Sequence, residues 1–260
     1  MSTLVLLLVL IGPAEAGHYS FRPASPGPMA APGQSPGSAV APTDAQIKAD
    51  VERRLSELRP RPGLKVTVLD AVVELSGTVP SAWAKLQAID AARRAAGLKF
   101  VVSDIEIPRA DSDAALALLV GRELLRSPAY TVYDDVAGGV RDGVVTLRGR
   151  VTSPVKVERL GELVARVRGV QAVTNEIRTI AESISDNDLR LEIAYGIYGD
   201  PMFLNLSMTT MPPIHIVVEN GRVTLVGRVH TEIESRRAEA ITQTIAGPSR
   251  VENRLEVDRR

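Results

Sequence analysis

Apolar and polar residues alternate with period two along three stretches of the chain, and each alternation carries a glycine at the same place. The stretches are Val73-Glu74-Leu75-Ser76-Gly77-Thr78-Val79, Val145-Thr146-Leu147-Arg148-Gly149-Arg150-Val151 and Val223-Thr224-Leu225-Val226-Gly227-Arg228-Val229. Such alternation predicts strands with one face buried and one solvated. The glycines lie on the apolar face, which predicts close helix-on-sheet packing or a bulge there.

The punctuation around the glycines repeats in register. Seven residues earlier stand Asp70, Asp142 and Asn220. Asp142-Gly143 and Asn220-Gly221 are two-residue hairpin signals, because both central residues need positive φ. The first copy has Ala71 in place of glycine, so a weaker turn or another type is expected. Four residues after each glycine stand Ser81, Ser153 and Thr231, three N-cap residues. Pro154 follows at a first helical position, where a missing N–H is tolerated, and Thr231 with Glu234 forms a capping box. Twenty residues after the anchors, Gly97, Gly169 and Gly247 suit helix ends. A last strand follows each: Val101-Ser103-Ile105, Val173-Asn175-Ile177 and Val251-Asn253-Leu255.

Helical spacing precedes each unit. Ile47, Val51, Leu55 and Leu58 follow a Thr43–Gln46 capping box. Leu116, Leu119, Val120 and Leu124 follow Asp113, and Leu189, Leu191, Ile193 and Ile197 form a looser stripe after Asp188. The fold class expected is α+β: three tandem two-layer modules, each helix-strand-strand-helix-strand with a three-stranded sheet. They span 43–108, 113–180 and 186–258. Short spacers should keep the copies close, and units of this size are near the lower limit for folding alone.

Composition narrows the chemistry. The formal net charge is zero, so no global field draws the chain to nucleic acid or acidic lipid. The absence of cysteine removes disulfides, thiolate sites and a cysteine nucleophile. Aromatics make up 3%, too few for a base-stacking platform, so no nucleic-acid partner is expected. Residues 1–16 read as a signal-like segment: Leu4 to Ile11 is apolar, Ala14-Glu15-Ala16 resembles a cleavage pattern, and the basic n-region is missing. Residues 17–42, rich in Pro, Gly, Ala and Ser, read as a flexible linker. The expected location is periplasmic, with cytoplasmic as the alternative.

The hairpin, the V-T-L-x-G-x-V strand, the G-V-x-x-V helix ending (Gly169-Val170-Gln171-Ala172-Val173) and the final N-x-[IL] strand resemble the BON family, the bacterial OsmY and nodulation domain. The first copy departs at Ala71 and Ser103, the third at Pro248. The resemblance implies envelope work: binding anionic phospholipid in osmotic-stress or outer-membrane maintenance, assembly with envelope proteins or with itself, or, less favoured, potassium sensing. It implies no catalytic motif.

The residues themselves supply no acid, base and nucleophile constellation, so no enzyme, cofactor or metal site is expected. His18, His215 and His230 are not spaced as ligands; His215 falls in a polar strand slot. Two surfaces are candidates for lipid or partner binding. Arg148, Arg150, Arg222 and Arg228 lie on polar strand faces and could fork-bond phosphate oxygens, although the first module offers Glu74, Ser76 and Thr78 there. The third module is six residues longer before its hairpin. Met202, Phe203, Leu204 and Met208 crowd that insertion, with Tyr195, Tyr198, Leu206 and Met211 nearby, and suit adaptable apolar contact.

Overall fold

The computed structural model describes residues 41–209 and 211–258. The signal-like segment and all but the last two residues of the linker lie outside the described residues. Three α+β modules follow one another. The first contains α1 (Asp44–Glu57), β1 (Leu64–Leu69), β2 (Val72–Thr78), α2 (Ala82–Arg93) and β3 (Phe100–Glu106). The second contains α3 (Asp113–Arg126), β4 (Asp135–Arg141), β5 (Val144–Val151), α4 (Pro154–Ala165) and β6 (Ala172–Thr179). The third contains α5 (Ile184–Tyr198), a short α6 (Leu204–Ser207), β7 (Ile214–Glu219), β8 (Arg222–Val229), α7 (Glu232–Ala246) and β9 (Val251–Val257).

Each sheet has three strands, with the glycine strand in the middle. It pairs antiparallel with the strand before it and parallel with the strand after the helix. The predicted stripes form the cores. Ile47, Val51 and Leu55 meet Val73 and Leu75 in module 1. Leu116, Val120 and Leu124 meet Val145 and Leu147 in module 2. Ile193 and Ile197 meet Val223 and Leu225 in module 3. Each fully buried leucine among them contributes about 1.5–3 kcal/mol.

Several expectations need correction. The first hairpin is no different in type: Asp70 and Ala71 adopt φ of 51° and 63°, matching Asp142–Gly143 and Asn220–Gly221. A carboxylate explains how. Asp44 accepts from the backbone N–H groups of Asp70 and Ala71, both at 2.9 Å. Asp113 does the same for Asp142 and Gly143 at 2.7 and 2.9 Å, and Asp186 for Asn220 and Gly221 at 2.8 and 2.9 Å. The first-turn aspartate of each leading helix therefore clamps the hairpin of its own module. Ser112 and Ser183 cap α3 and α5, so α5 starts before Asp188. Ser153 makes no side-chain cap bond; Lys156 N donates to its carbonyl oxygen at 3.1 Å.

The anchor glycines do not serve helix packing. Gly77 is exposed and Gly149 and Gly227 are half-buried, with φ of 129°, 135° and 118°. A Cβ at Gly149 would lie 1.9 Å from the Asp135 carbonyl oxygen, and one at Gly227 would lie 1.9 Å from that of Pro213. The neighbouring chain comes too close for a side chain, and the pairing register runs through without a bulge. Gly247 ends α7 directly with φ 89°. Gly97 and Gly169 turn the chain a few residues after α2 and α4 have stopped.

Two seams join the modules, and they differ. At the first, Ala82 N donates to Val170 O at 2.9 Å and Gly169 N donates to Pro80 O at 3.0 Å. Trp83 lies over the Arg166 guanidinium at 3.8 Å, and Ala82 and Trp83 join the core of module 2. At the second, Ile216 N on the outer edge of β7 donates to Val132 O at 2.7 Å, and β7 is buried along nearly its whole length.

Candidate functional site

The polar faces of β5 and β8 open onto one cleft of about 750 Å3. Arg148, Arg150 and Arg222 line it together, joined by Arg178, Arg250 and Arg254. Arg228 lies apart, in a neighbouring hollow with Asp135, Arg254 and Glu256. The cleft is not purely basic, because Asp135, Glu176, Glu219 and Glu252 line it too. Arg148 Nε meets Glu176 at 2.6 Å, and Arg150 reaches both Asp135 at 3.8 Å and Glu219 at 3.5 Å. Arg228 is held by Glu256 at 2.9 Å and Asp258 at 3.4 Å. Three of the four predicted arginines are thus already engaged by carboxylates. Among the described residues Arg178, Arg222 and Arg250 form no ion pair, and they are the cations left to meet an anion.

The insertion of module 3 separates its apolar residues into two sets. Phe203 is fully buried in the core of that module, so it anchors the segment and cannot touch a ligand. Met202, Leu204 and Met208 remain at the surface, Met208 with 88% of its area exposed. Tyr195 is exposed beside them in sequence. The segment is held from below. Asp200 caps it through Met202 N at 2.9 Å and pairs with Arg237 at 2.6 Å. The Met202 amide and the Arg237 guanidinium hold the Asp200 carboxyl below its usual range. Tyr198 Oη donates to Ile214 O, and burial pushes its phenol up.

The second seam contains polar groups that sequence reasoning missed. Asp134 is fully buried. Its carboxylate accepts from Thr131 N and Oγ1, from Thr152 N and Oγ1, and from Lys156 Nζ at 2.7 Å. Its backbone carbonyl faces His215 Nδ1 at 2.6 Å. His215, in its polar strand slot, is therefore buried at a seam. Since a carbonyl can only accept, Nδ1 carries the proton. Tyr130 packs on the same imidazole with ring centroids 5.1 Å apart. Burial pushes the His215 pKa down, offset in part by the Asp134 carbonyl and the charges of Asp134 and Asp135; burial likewise pushes Tyr130 up to about 12. Asp134, Lys156 and His215 have no like residue at the equivalent places of the other modules, so the repeat gave no signal for them. Among the described residues no group of three or more His, Asp or Glu could hold a metal ion.

The model of the BON domain matches residues 43–109, 112–181 and 208–259. The chain belongs to the BON family. The third match begins beyond α5, although α5 completes that module in space. No match was found among curated proteins. Similar solved structures include the C-terminal domain of CdsD, the structural protein of the type III secretion system of Chlamydia trachomatis. It is 16% identical with a TM-score of 0.24, covering 81% of this chain and 96% of that one. The PrgH periplasmic domain is 13% identical with a TM-score of 0.21, covering 76% of this chain and 96% of that one. The chain is a BON-domain protein, and among its described residues no helix is long and apolar enough to cross a membrane.

Proposed function

We propose that this BON protein docks on anionic phospholipid at the periplasmic surface of a membrane, in envelope or osmotic-stress maintenance. The observation that carries the reading is the exposure of Met202, Leu204 and Met208 on a segment pinned by buried Phe203. Flexible thioether and aliphatic side chains at a surface suit the acyl boundary of a bilayer. Arg178, Arg222 and Arg250 in the cleft beside module 3 supply the attraction to phosphate. BON domains generally associate with phospholipid surfaces, which supports the same reading.

The test is co-sedimentation with phosphatidylglycerol vesicles against phosphatidylcholine vesicles. The protein is expected in the first pellet. Changing Met202, Leu204 and Met208 together to serine should release it, and Arg178→Gln with Arg222→Gln and Arg250→Gln should erase the preference for the anionic lipid. Absence of the unmodified protein from both pellets would overturn the proposal. A second reading, an adaptor for envelope proteins, is favoured by the first seam, where one BON surface recognises another through main-chain bonds. Cell fractionation tests the location, and a cytoplasmic fraction would exclude both readings.

A further inference from the structure

The first seam defines a donor lip and a receiver on the same kind of module. The lip is the start of the second helix: a carbonyl at Pro80, an amide N–H at Ala82 and an apolar side chain at Trp83. The receiver is the turn after that helix in the next module: Gly169 N, Val170 O and the guanidinium of Arg166. Because the repeat is in register, every other lip and receiver can be located and compared.

In module 2 the lip is Thr152, Pro154 and Val155. Pro154 has no amide hydrogen, so the bond made by Ala82 N cannot form. Module 3 accordingly joins module 2 through a different seam. In module 3 the lip is His230, Glu232 and Ile233. Glu232 retains its N–H, and Ile233, at the place of Trp83, is 68% exposed. Of the receivers, that of module 3 is altered: Gly247 N already donates to Gln243 O, and Pro248 starts a 3-10 turn. The receiver of module 1 retains the form of module 2. Gly97 has φ 79° against 90° for Gly169. Lys99 N donates to Ala71 O at 2.8 Å as Gln171 N donates to Gly143 O at 2.9 Å. Arg94 stands where Arg166 does, and Phe100, next to Lys99 in sequence, is 57% exposed.

One open lip and one open receiver of the working type therefore remain, at opposite ends of the described chain. We propose that the lip of module 3 docks on the module 1 receiver of a second copy of this chain, giving a head-to-tail assembly. Charge supports the pairing. The lip replaces Ala82 by the exposed Glu232, while the receiver replaces Gln171 by the exposed Lys99 and keeps the exposed Arg94. The contact joins two different surfaces, so repetition yields a ring if the rotation closes and a filament if it does not.

Light scattering of the full chain over a wide concentration range tests this. The mass is expected to rise above one chain of 27.9 kDa. Glu232→Lys alone, or Arg94→Glu with Lys99→Glu, should weaken association by at least about tenfold through like-charge contact. All three changes in one chain should restore it. Mixing the two weakened proteins should restore growth as an alternating assembly, because both junctions between unlike proteins again pair opposite charges. Circular dichroism confirms that each variant is folded. A mass that stays at one chain at every concentration, or rises equally in wild type and variants, would overturn the proposal.

Discussion

At the residue scale, a single aspartate fixes each hairpin. Asp186, 5% exposed, satisfies two backbone N–H groups at once. Asp186→Ala should destabilise the protein by about 1.5–3 kcal/mol, the range for hydrogen bonds to a charged group, read as a lower urea midpoint. Ala71 holds φ 63° under the same clamp, where a Cβ costs about 1–2 kcal/mol. Ala71→Gly should therefore stabilise, less the added freedom of glycine in the unfolded chain, leaving a gain below about 1 kcal/mol. The anchor glycines should not respond alike. Gly149→Ala meets a backbone oxygen at 1.9 Å, whereas Gly77→Ala meets one at 3.2 Å. The first should cost more than about 3 kcal/mol and the second about 1–2 kcal/mol, as backbone strain with a tight contact that must give by a few tenths of an ångström. Thermal melts of the two variants check the order.

At the element scale, turn and cap chemistry made strands and helices legible. Asp142-Gly143 and Asn220-Gly221 announced their hairpins, and the capping boxes at Thr43 and Thr231 announced α1 and α7. The start of α5 was hidden because Ser183 caps it while Asp186, in the first turn, serves a hairpin distant in sequence. The candidate site was half legible. An apolar insertion could be seen, but not that Phe203 would turn inward while Met208 stayed out. Nor could strand alternation reveal that Glu176 and Glu219, from other strands, would meet Arg148 and Arg150. Strand alternation could not show the burial of His215, because the face of β7 that carries it is covered by Tyr130 and Asp134 of module 2. That placement has a pH consequence. Burial lowers the folded-state pKa of His215 below its ordinary value of 6.5, so the unfolded chain binds a proton more readily. Its contribution is present above the unfolded pKa and lost as pH falls from about 6.5 through the folded value. Melting temperature should fall with acidification through that window, and His215→Gln should flatten the fall.

At the scale of the whole molecule, the seams make the modules depend on one another. Ala82 and Trp83 belong to the core of the module that follows theirs, and Met211 packs on module 2 while Tyr133 packs on module 3. Unfolding of the three modules should be coupled. Trp83→Ala should loosen module 1 from module 2 and broaden or split the calorimetric transition, at a cost of about 3 kcal/mol at most, since the side chain is only half-buried. An unchanged single transition would mean that the main-chain bonds alone hold the seam. Trp83 is also the chain's one tryptophan, so its fluorescence follows this seam directly.

Pro154 looks harmless inside its own helix, where the missing hydrogen would have had no partner. Across the boundary between modules, the same absence turns one repeat into a stop signal. The copies are therefore not interchangeable beads: exchanging the first and second would place a mute edge where an adhesive one is needed. Order along the string is written into a single imide nitrogen.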